Sequence, residues 1–146
     1  MKRKFFSVSQ RPTVYVAAAL SHAPGSFRDD IIAFRDRLRP YVEVLDFLGL
    51  EAPSAQEAFE WDIKCVRDCD VLVADVSYPS IGAGVEFGVA YSLRKPIITL
   101  AAADAAASRF VFGDVSPLHF SCRYTSREEA AEFVLSTLRQ LYPRMK

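Results

Sequence analysis

The sequence predicts an α/β domain: a doubly wound, five-stranded parallel sheet with helices on both faces, of the flavodoxin or Rossmann kind. Three observations predict it. Apolar, β-branched runs alternate with segments of helical period along the whole chain. One run, Asp70-Val-Leu-Val-Ala-Asp-Val76, is apolar on both of its alternating faces, as suits a strand covered from two sides. The links between runs are short, which favours parallel strands joined by helical crossovers.

Thr13-Val-Tyr-Val-Ala-Ala-Ala19 is the first strand. Ser26 is the expected N-cap of a helix from 27 to about 39, with Ile31, Phe34, Leu38 and Phe27 or Ile32 in helical period. Pro40 ends it, and Val42, Val44 and Leu45 make a short second strand. Ser54-Ala-Gln-Glu57 is a capping box opening a helix to about 68. Phe59, Ile63 and Val66 should face the core, with Trp61 and Asp62 off that face. The 70–76 strand leads into a loop bearing Pro79, Ser80, Gly82 and Gly84, then a helix with Glu86 in its first turn. Lys95-Pro-Ile-Ile-Thr-Leu100 is a fourth strand, and the small residues of 101–108 form a mobile loop or a short helix. His119-Phe-Ser-Cys-Arg-Tyr124 is the fifth strand, and Ser126-Arg-Glu-Glu129 caps a last helix to about 141.

Composition bounds the function. A chain of 146 residues is expected to form one domain over 13–146 behind a flexible basic leader over 1–12. Half of it is apolar, so a packed core is expected. Lysine plus arginine equals aspartate plus glutamate, 18 against 18, and nothing in that balance suggests a nucleic-acid or membrane footprint. Any phosphate site must then be local. No apolar stretch follows Met1-Lys-Arg-Lys, so neither an export signal nor a membrane span is expected. Three cysteines without such a signal point to reduced thiols and a cytoplasmic setting. Cys65 and Cys69 share a helix face, but no second pair completes a metal set, so core thiols are expected, with no metal and no cofactor.

Four groups could carry chemistry at one edge of the sheet. Glu86 follows the glycine-bearing loop, where open α/β sheets place ligands, although an acid near a helix start is commonly a dipole-stabilising residue. Asp62 reads alone as a solvated helix aspartate, Asp75 as a cap for the following loop, and Tyr15 as an ordinary strand aromatic.

Asp62, then Asp70-Val-Leu-Val-Ala-Asp-Val-Ser, then Pro79-Ser-Ile-Gly-Ala-Gly-Val-Glu86-Phe-Gly-Val-Ala, then Lys95-Pro-Ile-Ile together resemble the nucleoside 2-deoxyribosyltransferase superfamily. The branch most similar is that of the nucleoside 5'-monophosphate N-glycosidases, with the Pro-Ser-x-Gly-x-Gly-x-Glu form of the loop. The resemblance extends more loosely from Tyr15 to Tyr124. It implies Glu86 as the nucleophile at C1' of the sugar, since a carboxylate suits an oxocarbenium-like transition state and a glycosyl-ester intermediate. It implies Asp62 as the acid that helps the base depart, or as the residue that orients the nucleophile. Tyr15 matches a tyrosine near sugar and nucleophile. Ser80, Gly82 and Gly84 match donors around the 5'-phosphate, and Ser108 a serine that reaches a neighbouring subunit's site.

The chain also departs from that pattern. The nucleotide-hydrolysing relatives carry a loop like Gly-Ser-Ile-Arg-Gly-Gly after the first strand, where this sequence has Ala18-Ala-Leu-Ser-His-Ala-Pro-Gly25. Ser21, His22 and Arg28 are the candidates to substitute for that contact, and the sequence does not choose among them. It also lacks the C-terminal asparagine of the transferases, which disfavours base exchange. The implied activity is hydrolysis of a nucleoside 5'-monophosphate to free base and (deoxy)ribose 5-phosphate. Deoxyribosyl transfer between bases is the alternative within the enzymes, and a non-catalytic nucleotide-binding or signalling domain is the alternative outside them. The partner expected is a small nucleotide or nucleoside, with a homodimer or dimer of dimers closing the cleft.

Overall fold

The computed structural model describes residues 11–46 and 51–146, so the leader expected over 1–12 lies outside the described residues up to residue 10. The described residues form β1 (Thr13–Ala18), α1 (Gly25–Leu38), β2 (Glu43–Leu45), α2 (Ala55–Asp68), β3 (Val71–Asp75), α3 (Ile81–Ser92), β4 (Ile97–Ala102), β5 (His119–Tyr124) and α4 (Arg127–Leu141), with one 3-10 turn at Val111–Gly113. The strands are all parallel in the order β2-β1-β3-β4-β5. The order reverses between β1 and β3, where Tyr15 lies opposite Leu72 and Ala18 opposite Asp75. Such a reversal opens a crevice at the carboxyl ends of the two strands.

Strand alternation splits the core into two layers. Val14, Val16, Val71, Val73, Ile98 and Leu100 face Phe27, Ile31, Phe34 and Leu38 of α1 and Val134 and Leu138 of α4. On the other face Tyr15, Ala17, Leu72, Ala74 and Ile97 meet Cys65 and Val66 of α2 and Ala83 and Ala90 of α3. The layer beneath α1 and α4 also holds a polar tie. Arg127 donates through Nη1 to the fully buried Asp75 at 2.7 Å and pairs with Asp30 of α1. Its guanidinium lies over the rings of Tyr124, Phe34 and Phe27, at 4.7, 5.4 and 5.6 Å.

Local chemistry explains the element ends. Ser54 and Ser126 cap α2 and α4 by accepting the Glu57 and Glu129 N–H groups, as their capping boxes predict. Three expectations need correction. Helix α1 starts at Gly25, so Ser26 lies inside it; Pro24 turns the chain in and its carbonyl accepts the Phe27 N–H at 2.9 Å. Phe59 is 60 % exposed, and in the first turns of α2 it is the Ala55, Ala58 and Asp62 face that turns inward, onto a cavity. Helix α3 begins at Ile81 and not near 84: Ser80 Oγ accepts the Ala83 N–H at 3.1 Å and Ser80 O the Gly84 N–H at 3.1 Å. Glu86 therefore sits in the second turn, and Gly82 and Gly84 belong to the helix. The 101–108 stretch splits, with Ala101 and Ala102 finishing β4. Among the described residues, no helix is long and apolar enough to cross a membrane.

Candidate active site

A cavity of about 650 Å³ occupies the crevice where the strand order reverses. One wall is the 18–22 segment that leaves β1; the opposite wall is Pro79, Ser80 and the start of α3; the third is α2. Asp62 and Glu86 both line it. Tyr15, 1 % exposed, sits beneath them in β1, its hydroxyl within hydrogen-bonding reach of Asp62 and Glu86. The fold thus gathers one phenol and two carboxyl groups from three distant elements.

Their electrostatics are coupled. Burial, and then the Asp62 charge, pushes the Glu86 carboxyl up to about 8, against a hydrogen bond from Tyr15 that holds it down. Burial and then the Glu86 and Asp62 charges push the Tyr15 phenol upward, so it stays a donor. Glu86 Oε2 is buried and has no hydrogen-bond partner among the described residues. At neutral pH Glu86 thus keeps its proton beside the Asp62 charge.

The helix start supplies a second kind of chemistry. Ser80 spends its oxygen lone pair on the Ala83 N–H, which leaves the hydroxyl proton to donate elsewhere. The first N–H groups of α3, at Ile81 and Gly82, have no place in the helical ladder. Ser80, Gly82 and His22 line the cavity together with Glu86 and Asp62, whereas Gly84 and Ser108 do not. Those two face a second cavity of about 400 Å³ across the α3 start, with Pro79, Ser80 and Ala83 common to both. Ser108 Oγ there accepts the Phe110 N–H at 3.3 Å.

Of the three residues that could replace the missing arginine, Ser21 and His22 line the first cavity. Arg28 instead donates to Leu20 O at 3.0 Å and fastens the loop from behind. Sequence reasoning missed the α2 wall. Ala55, Ala58 and Asp62 recur at i, i+3, i+7, a small-residue row that ends on the carboxyl group. That spacing was available in the sequence, but the Phe59 face masked it. Cys65, on the same helix, is a buried free thiol pushed up to about 11 by burial and the Asp62 charge, so it remains protonated.

A family model described as nucleoside 2-deoxyribosyltransferase matches residues 15–130. The chain belongs to that family. A protein of Syntrophotalea carbinolica named "Putative 2'-deoxynucleoside 5'-phosphate N-hydrolase 1" is 35% identical over 102 residues, 68% of this chain and 69% of the relative. A Thermofilum pendens protein of the same name is 46% identical over 57 residues, 38% of this chain and 40% of the relative. The 5-hydroxymethyl-dUMP N-hydrolase of Rattus norvegicus is 39% identical over 74 residues, 44% of this chain and 45% of the relative. The chain spans about half the length of the curated relatives it matches. Among solved structures, the Clostridium botulinum CMP N-glycosidase aligns with a TM-score of 0.63 at 21% identity, over 86% of this chain and 98% of that one. The 2-desoxiribosyltransferase of Leishmania mexicana aligns at 0.64 and 20% identity, over 86% and 97%. Both share the family's parallel α/β fold with this chain.

Proposed function

We propose that the chain is an enzyme that hydrolyses the N-glycosidic bond of a nucleoside 5'-monophosphate, releasing the free base and (deoxy)ribose 5-phosphate. Glu86 carries the reading: it is a cavity-lining carboxyl group, hydrogen-bonded by Tyr15, with one buried oxygen that no described residue engages. The names of the relatives support the substrate class.

The base rests along Ala55 and Ala58, and the sugar's C1' meets Glu86. With substrate bound, the Glu86 proton passes to Asp62; a carboxylate oxygen of Glu86 then attacks C1' as the C1'–N bond breaks, and Asp62 delivers that proton to the departing base. Water then attacks C1', Asp62 takes its proton, and the ester C–O bond breaks to restore Glu86. Tyr15 steadies the carboxylate between the two steps. The 5'-phosphate lies at the start of α3, against the Ser80 hydroxyl and the Ile81 and Gly82 N–H groups, where the helix dipole favours an anion. Ser21 and His22 close that end. Gly84 and Ser108 act only if a second copy of the chain completes the site, and we propose a homodimer, or a dimer of dimers, for that reason. The free thiols of Cys65, Cys69 and Cys122 fit a cytoplasmic setting.

Incubation with a panel of nucleoside 5'-monophosphates and the matching nucleosides tests the reading through free base. Glu86→Ala should lose at least ~10³-fold in turnover, and a 2-fluoro sugar analogue should leave a glycosyl adduct on the Glu86 peptide by mass spectrometry. Base release by Glu86→Ala within tenfold of the parent overturns the assignment. The family match also favours a second reading, base exchange through the same ester; product nucleotide carrying an added second base would establish it.

A further inference from the structure

The 76–80 loop delivers Ser80 and sets where α3 begins, and it is Ser77, outside both cavities, that holds it. The Ser77 N–H donates to Asp75 Oδ1 at 3.0 Å. Ser77 Oγ accepts the Ala102 N–H, at the end of β4, at 2.8 Å. The Tyr124 hydroxyl donates to Asp75 Oδ2 at 2.7 Å, so in the 3.2 Å contact between Ser77 and Tyr124 the serine is the donor. Asp75 is fully buried, and Arg127 Nη1 engages the same Oδ2 at 2.7 Å. Tyr78, the next loop residue, sets its ring edge against Phe27 at 4.7 Å.

These bonds have one direction. Ser77 donates to Tyr124, Tyr124 donates to Asp75, and Arg127 neutralises the carboxylate at the end. Each donor fixes the next acceptor, so a chain of this kind is stiffer than its separate links. It ties the loop to β4, β5 and α1 at once. Tyr124 lines neither cavity.

We propose that Tyr124 is a positioning residue for the phosphate subsite: through Ser77 it holds the β3–α3 loop so that Ser80 and the first α3 amides are already in place when a 5'-phosphate arrives. The inference rests on the nucleotide reading above for its kinetic consequence but not for its structural one. Affinity gained this way comes from ordering that binding does not have to supply.

Tyr124→Phe tests it, since the variant keeps the ring over Arg127 and removes only the hydroxyl. Two readouts are needed. Amide hydrogen exchange at 77–82 should quicken about tenfold while exchange in β1 and α1 stays at the parent rate. KM for the monophosphate should rise about tenfold with kcat within threefold, and kcat/KM for the matching nucleoside should not change. Ser77→Ala should reproduce both effects at least as strongly, since it also frees the Ala102 N–H, and the double variant should cost less than the sum of the two single ones. Unchanged exchange at 77–82 overturns the proposal, as does an equal loss for nucleoside and monophosphate. A parent that cleaves no monophosphate overturns the function reading instead, and the exchange data alone then decide the role of Tyr124.

Discussion

Tyr15 and Glu86 meet from the first strand and the third helix, and the hydrogen bond between them opposes the effect of burial on the carboxyl. The ring is buried in the sheet while the carboxyl lines open space. The phenol is thus a fixed donor under a carboxyl group that, on the proposed mechanism, gains and loses a bond to carbon.

Tyr15→Phe removes that donor and leaves the ring. The bond favours ionised Glu86, so without it the last proton leaves the Glu86–Asp62 pair above pH 8 instead of near it. The alkaline limb of the kcat profile, which tracks the loss of that proton, should move upward, and kcat should fall about tenfold. A pH profile superposable on the parent's would separate Tyr15 from the reaction.

Folding raises the Glu86 pKa from 4.5 to about 8. Across that window the native state holds a proton that the unfolded chain has released, so stability falls as pH rises from about 4.5 to about 8. Glu86→Gln keeps the shape and removes the titration. Its Tm should match the parent's near pH 4 and exceed it at pH 8, by about 2–4 °C for each kcal/mol relieved. Thermal unfolding at the two pH values checks this, and an advantage that does not grow with pH would count against the raised value.

Ser80 has two duties that substitution can divide. Ser80→Ala should cost about 1 kcal/mol as a lost cap and raise KM for monophosphates roughly tenfold to a hundredfold, leaving nucleosides unaffected. Ser80→Asp should keep the cap and repel the phosphate. Chemical denaturation together with steady-state kinetics distinguishes them: an aspartate variant that binds monophosphates as well as the parent would move the phosphate elsewhere.

Helix α3 presents Ile81, Val85 and Tyr91 to solvent at 90, 43 and 58 % exposure, with Gly84 and Gly88 leaving open space between them. One face of one helix is thus apolar and uncovered, as interfaces are. Sedimentation at micromolar concentration should give twice the chain mass or more, and Val85→Glu should return it to the monomer. A fully active monomeric parent would remove Ser108 from the site.

The sequence was most legible where chemistry is local. Ser54 and Ser126 announce their helices because a cap is decided within three residues, and β5 is bounded as expected over 119–124. It was less legible where glycine weakens a local signal: Gly82 and Gly84 read as loop, yet Ser80 caps a helix that contains them. It misled at α2, where Phe59 looked inward and Asp62 outward, because periodicity says which residues share a face and not what lies opposite it. The tie of Arg127 to Asp75 joins residues 52 positions apart, and no window of sequence displays such a pair. Asp62, Glu86 and Tyr15 were reached through the motif that carries the family resemblance; their convergence under one cavity is a property of the fold.

That convergence has a consequence for how the molecule comes into being. Tyr15 belongs to β1, Asp62 to α2 and Glu86 to α3, and β1 pairs with β3 only after the chain has passed through α1, β2 and α2. Closing so long a connection is a slow step in assembling parallel sheets. A growing polypeptide therefore carries no partial version of the candidate site: until the late pairing is made, Glu86 has no phenol beneath it. If the proposed function holds, turnover should switch on only with the completed topology, and the rate at which activity appears on refolding should follow the meeting of the first and third strands.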